Sequence, residues 1–245
     1  MGRLTLFFLL STLMACEAGT GGKLTTVDFR LEVLAMPQVT LDDGATVRLE
    51  RATLSFGPLY VFEAPPPTAR PWWKRASELV VPTAHAHPGH DFFSGGRVMT
   101  EWIEPKVVDL LTASHELGTV PAIAGTARSM SVHLLKDDDN AKQALRLAGT
   151  VTRGDTTRPF TLDAALPGGF DDQRVDFVPV EWTLDEGQAV IVVVDPRAWF
   201  RGARFEETTL EPIAADSQTG RAVQVNLRRF AAWGGRTEAA SRQER

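Results

Sequence analysis

The chain has 245 residues, 43% of them hydrophobic, a formal net charge of -5 at pH 7 and a single cysteine. That length suits one large all-β domain or two small ones, with enough apolar content for a sizeable core. The mildly acidic balance, with no long basic run, argues against nucleic acid as a partner, and one cysteine leaves no disulfide within the chain.

Arg3 supplies a positive start, and Leu4 to Leu13 form an apolar run broken only by small hydroxyl residues. The run is too short for a bilayer core, which needs roughly 20 apolar residues, but it fits the apolar region of a signal peptide. It ends in Leu13-Met14-Ala15-Cys16, followed by Glu17 and Ala18. This ending resembles the lipobox of bacterial lipoproteins. The resemblance implies that residues 1–15 are removed and that Cys16 carries a thioether-linked diacylglycerol, with a further acyl chain such as palmitate. Everything after Cys16 would then work outside the cytoplasm, on the periplasmic or cell-surface side, with the membrane as a partner through the lipid. An ordinary cleaved signal peptide with a chance cysteine is the competing reading. Beyond residue 16 no apolar stretch is long enough to span a membrane.

Residues 16–25, with Gly19, Gly21 and Gly22, read as a flexible tether. From Val27 to Val33 apolar and charged residues alternate, which predicts a half-buried strand. Asp42-Asp43-Gly44 is a turn signal. Val47 and Leu49 resume the alternation, and Ala52, Leu54 and Phe56 continue it on the opposite parity. A bulge near Glu50-Arg51 accounts for that slip, because one extra residue swaps the two faces. Residues 63–75, with four prolines, predict a loop, and residues 82–96 a second irregular stretch. Short helices are expected near residues 74–80 and 106–114. Met130, Val132 and Leu134 alternate, which puts His133 on the other, more polar face. Further strands are expected around Leu145 to Val151, Phe160 to Leu162 and Val178 to Leu184. Ala189 to Val194 is uniformly apolar and reads as a central strand buried on both faces, ended by Asp195-Pro196. Val223, Val225 and Leu227 predict a last strand, and residues 234–245 a disordered tail.

Eight to ten short strands separated by turn residues predict an all-β fold, an antiparallel β-sandwich with long loop insertions and few short helices. A single domain would cover residues 26–233.

The stretch that points to chemistry is His85-Ala86-His87-Pro88-Gly89-His90-Asp91, which holds three of the five histidines. In an extended segment His85 and His87 share a side, and Pro88-Gly89 favours a turn that returns His90 toward them. Three converging imidazoles suit copper, zinc or nickel, with Asp91 as a fourth ligand or as a group orienting one imidazole. The competing reading is a solvent-exposed polar loop that happens to be rich in histidine. His115 and His133 are candidates to complete a site but are more often surface residues, and Glu101 and Glu104 are weaker oxygen candidates.

Other motifs fall away. His115-Glu116-Leu117-Gly118-Thr119 opens like the zinc-protease helix motif, but Thr119 stands where its second histidine belongs. Lys136 to Asn140 lacks the spacing of a calcium loop and reads as a solvated turn. The sequence contains no Gly-x-Ser-x-Gly elbow and no phosphate-binding glycine loop, so an enzyme is not expected. Trp182 and Trp199 read as core, whereas Trp72, Trp73 and Trp102 flank the histidine cluster and can wall it.

Three stretches, Gly44 to Ser55, Leu117 to Gly125 and Val190 to Asp195, resemble the periplasmic copper-binding β-sandwich proteins of the MbnP type. The resemblance implies a sandwich fold and copper held by histidines, in some members beside an oxidised tryptophan. No Trp-x-His pairing exists here, so no modified tryptophan is carried over, and the histidine cluster is not among the matched stretches.

Two functions follow as expectations. One is a lipid-anchored envelope protein that binds copper or zinc through His85, His87, His90 and Asp91, as carrier, scavenger or sensor. The other is a non-catalytic sandwich module that binds an envelope protein or a glycan at the cell surface, without metal.

Overall fold

The computed structural model describes residues 22–66, 96–135, 144–164, 166, 173–205 and 212–239. They form an all-β fold of two sheets around one shared core. Thirteen strands lie among them. They are β1 (Leu24–Val33), β2 (Val39–Thr40), β3 (Thr46–Phe56), β4 (Leu59–Phe62), β5 (Val98–Trp102), β6 (Lys106–Asp109) and β7 (Ser114–Ile123). They continue with β8 (Gly125–His133), β9 (Leu145–Arg153), β10 (Thr156–Ala164), β11 (Arg174–Leu184), β12 (Gln188–Val194) and β13 (Trp233–Ala239). The large sheet has the order β11-β8-β4-β5-β7-β1-β12-β13 and the small one β10-β9-β3-β2, with β6 also paired to β3.

The alternating residues of β1 do what their pattern predicts. Val27, Phe29, Leu31 and Val33 are buried, and Arg30 reaches across the outer face to Glu116 at 3.0 Å. The parity slip in β3 is a real bulge, since its register against β9 shifts between Leu49 and Arg51. Gly149 stands opposite, where any Cβ would overlap the Arg48 carbonyl, so the bulge needs glycine there. At Gly44, φ is +79°, and the Ala45 N–H donates to Asp43 Oδ1 at 3.1 Å, which makes the turn.

β12 is buried along most of its length, as its apolar run requires. It pairs in parallel with β1, from Asp28↔Ala189 to Val33↔Val194. The sandwich is therefore mixed rather than purely antiparallel. Beyond β12, Asp195 caps a 3-10 turn (Pro196–Phe200) by accepting the Arg197 N–H at 3.1 Å. Trp182 and Trp199 are fully buried. The edge strands of the large sheet also meet, because the Trp182 ring of β11 lies over Gly235 of β13, where a Cβ would overlap it.

Several expectations are corrected. Residues 218–227 are helical, α1 (Gln218–Leu227), with Val223 and Leu227 buried one turn apart and Val225 exposed. Ser217 caps this helix by accepting the Gly220 N–H at 3.0 Å. The expected helix at 106–114 is β6 and the start of β7. Residues 24–25, expected in the tether, begin β1, and the expected tail starts as β13, laddered to β12 from Val194↔Trp233 to Gln188↔Ala239. His133 is buried beside Tyr60, with ring centroids 5.9 Å apart, because the second face of β8 is covered too.

Candidate functional site

The large sheet contains a gap. β7 passes into β8 through Ala124 alone, yet β4 and β5 lie between these two strands in the sheet. The two strands therefore splay from this corner around the β4–β5 hairpin. β5 and β7 pair at Thr100↔Ala122 and diverge beyond it. Pro121 contributes to the opening. Its carbonyl faces β5, so its nitrogen faces the same way and has no hydrogen to donate. Gly118, at φ +104°, sits where the β1–β7 register shifts, and the extra residue Leu117 turns its carbonyl toward β5.

Side chains bridge the gap in place of a backbone ladder. Thr100 Oγ1 donates to the Pro121 carbonyl at 2.8 Å, Trp102 Nε1 to the Leu117 carbonyl at 2.9 Å, and Lys106 Nζ to the Glu116 carbonyl at 2.6 Å. The buried Trp102 ring packs on Phe56 with centroids 5.3 Å apart. An open cleft of about 620 Å³ results, walled by Met99, Val120 and Ile123, with Leu24 and Ile103 strongly exposed at its rim. Glu101 and Glu104 also line it. Glu101 pairs in register with Tyr60, and burial, followed by the Glu101 charge, raises the Tyr60 hydroxyl above its ordinary pKa.

The expected metal ligands His85, His87, His90 and Asp91 lie outside the described residues, as do Cys16, Trp72, Trp73 and the acidic stretch from Lys136 to Asn140. The structure does fix the base of the segment that carries the histidines. Phe62 faces Val98, and the Glu63 N–H donates to the Arg97 carbonyl at 3.0 Å. The segment is thus the connection of an antiparallel hairpin, and it enters the cleft wall directly at Val98. Of the other histidines, His115 sits on β7 with Nε2 2.7 Å from the Asp109 carbonyl, and His133 sits on β8, with β4 and β5 between them in the sheet. They do not converge. Glu101 and Glu104 share the cleft, but no group of three or more metal-ligating side chains forms among the described residues. His115 and Glu116 lie on a strand, which confirms that the zinc-protease helix motif is absent.

The sequence pointed to Trp102 as a wall for the histidine cluster and not to this cleft. The available signal was Pro121, a residue without an N–H inside an otherwise strand-like run.

No family model matches this sequence, and no curated protein matches it. The fold is similar to the solved structure of MbnP from Methylosinus trichosporium, with 9% identity and a TM-score of 0.42 over 82% of this chain and 87% of that one. Function is therefore read from this chain's own residues. Among the described residues no helix is long and apolar enough to cross a membrane.

Proposed function

We propose that this protein is an envelope lipoprotein, anchored through Cys16, that binds copper or zinc through His85, His87 and His90, with Asp91 as fourth ligand or orienting group. It acts as a carrier, scavenger or sensor of the metal and performs no catalysis of its own. The observation that carries this reading is the concentration of three of five histidines within six positions. It is supported by the tied base of their segment at Glu63 and Arg97, because closing the ends of a loop lowers the entropic cost of gathering ligands. Titration of the metal-free chain with copper and zinc at pH 7.5 and pH 5.5 tests it. Tight binding at the higher pH, weakened below about pH 6 as imidazoles protonate and absent in His85→Ala/His87→Ala/His90→Ala, is the expected result. Unchanged affinity in the triple variant overturns it. The anchor is tested separately by Cys16→Ala, which should move the protein from the membrane fraction to the soluble envelope fraction.

The β5–β7 cleft favours a second reading, a module that binds a protein or glycan. Exposed Leu24 and Ile103 beside a tryptophan-backed, acid-rimmed opening suit an apolar group bearing a cation or hydroxyls. Trp102→Ala together with Ile103→Ser should abolish binding of that partner while leaving metal affinity unchanged.

A further inference from the structure

Arginines gather at one place on this acidic protein. Arg221 and Val225 lie one turn apart on one stripe of α1, and Arg229 follows just beyond the helix end in extended backbone. Arg201 joins them from the end of the 3-10 turn that follows β12. The two elements are locked together by the buried Asn226 side chain, whose Nδ2 donates to the Trp199 carbonyl at 3.1 Å and to the Arg201 carbonyl at 2.7 Å. An open pocket of about 510 Å³ lies between them, lined by Arg201, Arg221 and Arg229 together with Gln218, Val225 and Asn226. Among the described residues no acidic side chain lines it and none forms an ion pair with these three arginines.

Three arginines lining one open concavity carry like charges, and an anion among them would relieve their repulsion. Their planar forks match phosphate oxygens, and a phosphomonoester offers three acceptor oxygens and nearly two negative charges at neutral pH, where a carboxylate offers two oxygens and one charge. Val225, 44% exposed on the same stripe, gives an organic substituent an apolar surface. We infer that this pocket is a binding site for a phosphate monoester.

Chain direction distinguishes a soluble ester from a bilayer headgroup. β1 and β12 run in parallel, so Leu24, where the tether ends, and Val194, which leads to the arginine pocket, lie at opposite ends of the sheet. The ten residues of β1 span roughly 33 Å. On the lipid-anchor reading, which this point alone uses, the pocket lies at the end of the sheet farther from the tether. That placement favours a soluble phosphate ester over a headgroup of the anchoring membrane.

Chemical-shift titration of the chain with phenyl phosphate tests the site, with benzoate and phosphatidylglycerol vesicles as the other arms. Saturable binding of phenyl phosphate, weakened roughly tenfold or more in Arg221→Glu/Arg229→Glu, is expected. Circular dichroism of that variant should match the parent, since both side chains are exposed. Equal affinity for benzoate overturns the phosphate assignment, and binding to vesicles without binding to phenyl phosphate overturns the soluble ligand. Unchanged affinity in the double variant overturns the site. The Cys16→Ala fractionation test fails or succeeds independently of these results.

Discussion

β7 has two edges, and they differ. Toward β1 it is laddered from Leu24↔Ile123 to Glu32↔Ser114, interrupted by one bulge. Toward β5 it pairs at Thr100↔Ala122, and side chains do the rest. The same strand is thus sealed on one side and open on the other. The sealed edge backs onto β12 and the apolar core, where every buried polar backbone group needs a strand partner. The open edge is set by local chemistry, by Pro121 without a donor and by a corner at Ala124 that forces β7 and β8 around a hairpin. The difference shows that the opening is built into the fold.

Substitutions on the two edges can break this comparison. The largest effect is expected on the sealed side, where Leu31→Ala should cost about 2–5 kcal/mol in chemical denaturation, because the surrounding strands cannot collapse into the void. A loss under about 1 kcal/mol would mean that this edge is not the tighter one. Gly235→Ala comes next. It drives a methyl group into the Trp182 ring where β13 meets β11, and about 1–3 kcal/mol should be lost, visible as a lower Tm and a shifted tryptophan emission. On the open side, Trp102→Phe keeps the apolar ring but leaves the Leu117 carbonyl without its indole donor. It should cost about 1–2 kcal/mol, and amide exchange should accelerate in β5 and not in β1. The smallest effect concerns pH. Tyr60 has a raised pKa in the folded state, so the folded protein keeps that proton after the unfolded chain has released it. Its contribution is intact below the ordinary tyrosine pKa of about 10 and is lost as pH rises beyond it. Tyr60→Phe should flatten the alkaline limb of the stability curve, and an unchanged limb would assign it to other groups.

Much of the sealed side was legible in the sequence, because its signals are local. Strict alternation in β1, the parity slip at Glu50-Arg51, the uniform apolar run of β12 and the Asp195-Pro196 stop each appear in the structure as read. Their pairing was not legible, since β1 and β12 meet across most of the chain. Residues 223–227 misled because Val223 and Leu227 fit a helical period as well as a strand period, and the cap at Ser217 decides between them. β13 hid behind Gly234-Gly235, and at Gly235 the glycine serves to admit a tryptophan. His133 misled because β8 is covered on both faces, so alternation there does not separate buried from exposed. The cleft and the arginine pocket were missed for a common reason. Each depends on which elements become neighbours, although Pro121 and the Arg221-Val225-Arg229 spacing were visible in the sequence.

The central claim concerns the segment that leaves β4 and returns to β5. Elemental analysis of the mature protein purified from the envelope, beside its His85→Ala/His87→Ala/His90→Ala variant, tests it most directly. Copper or zinc bound in the parent and lost from the variant is the predicted result. Equal metal content in the two samples would contradict it.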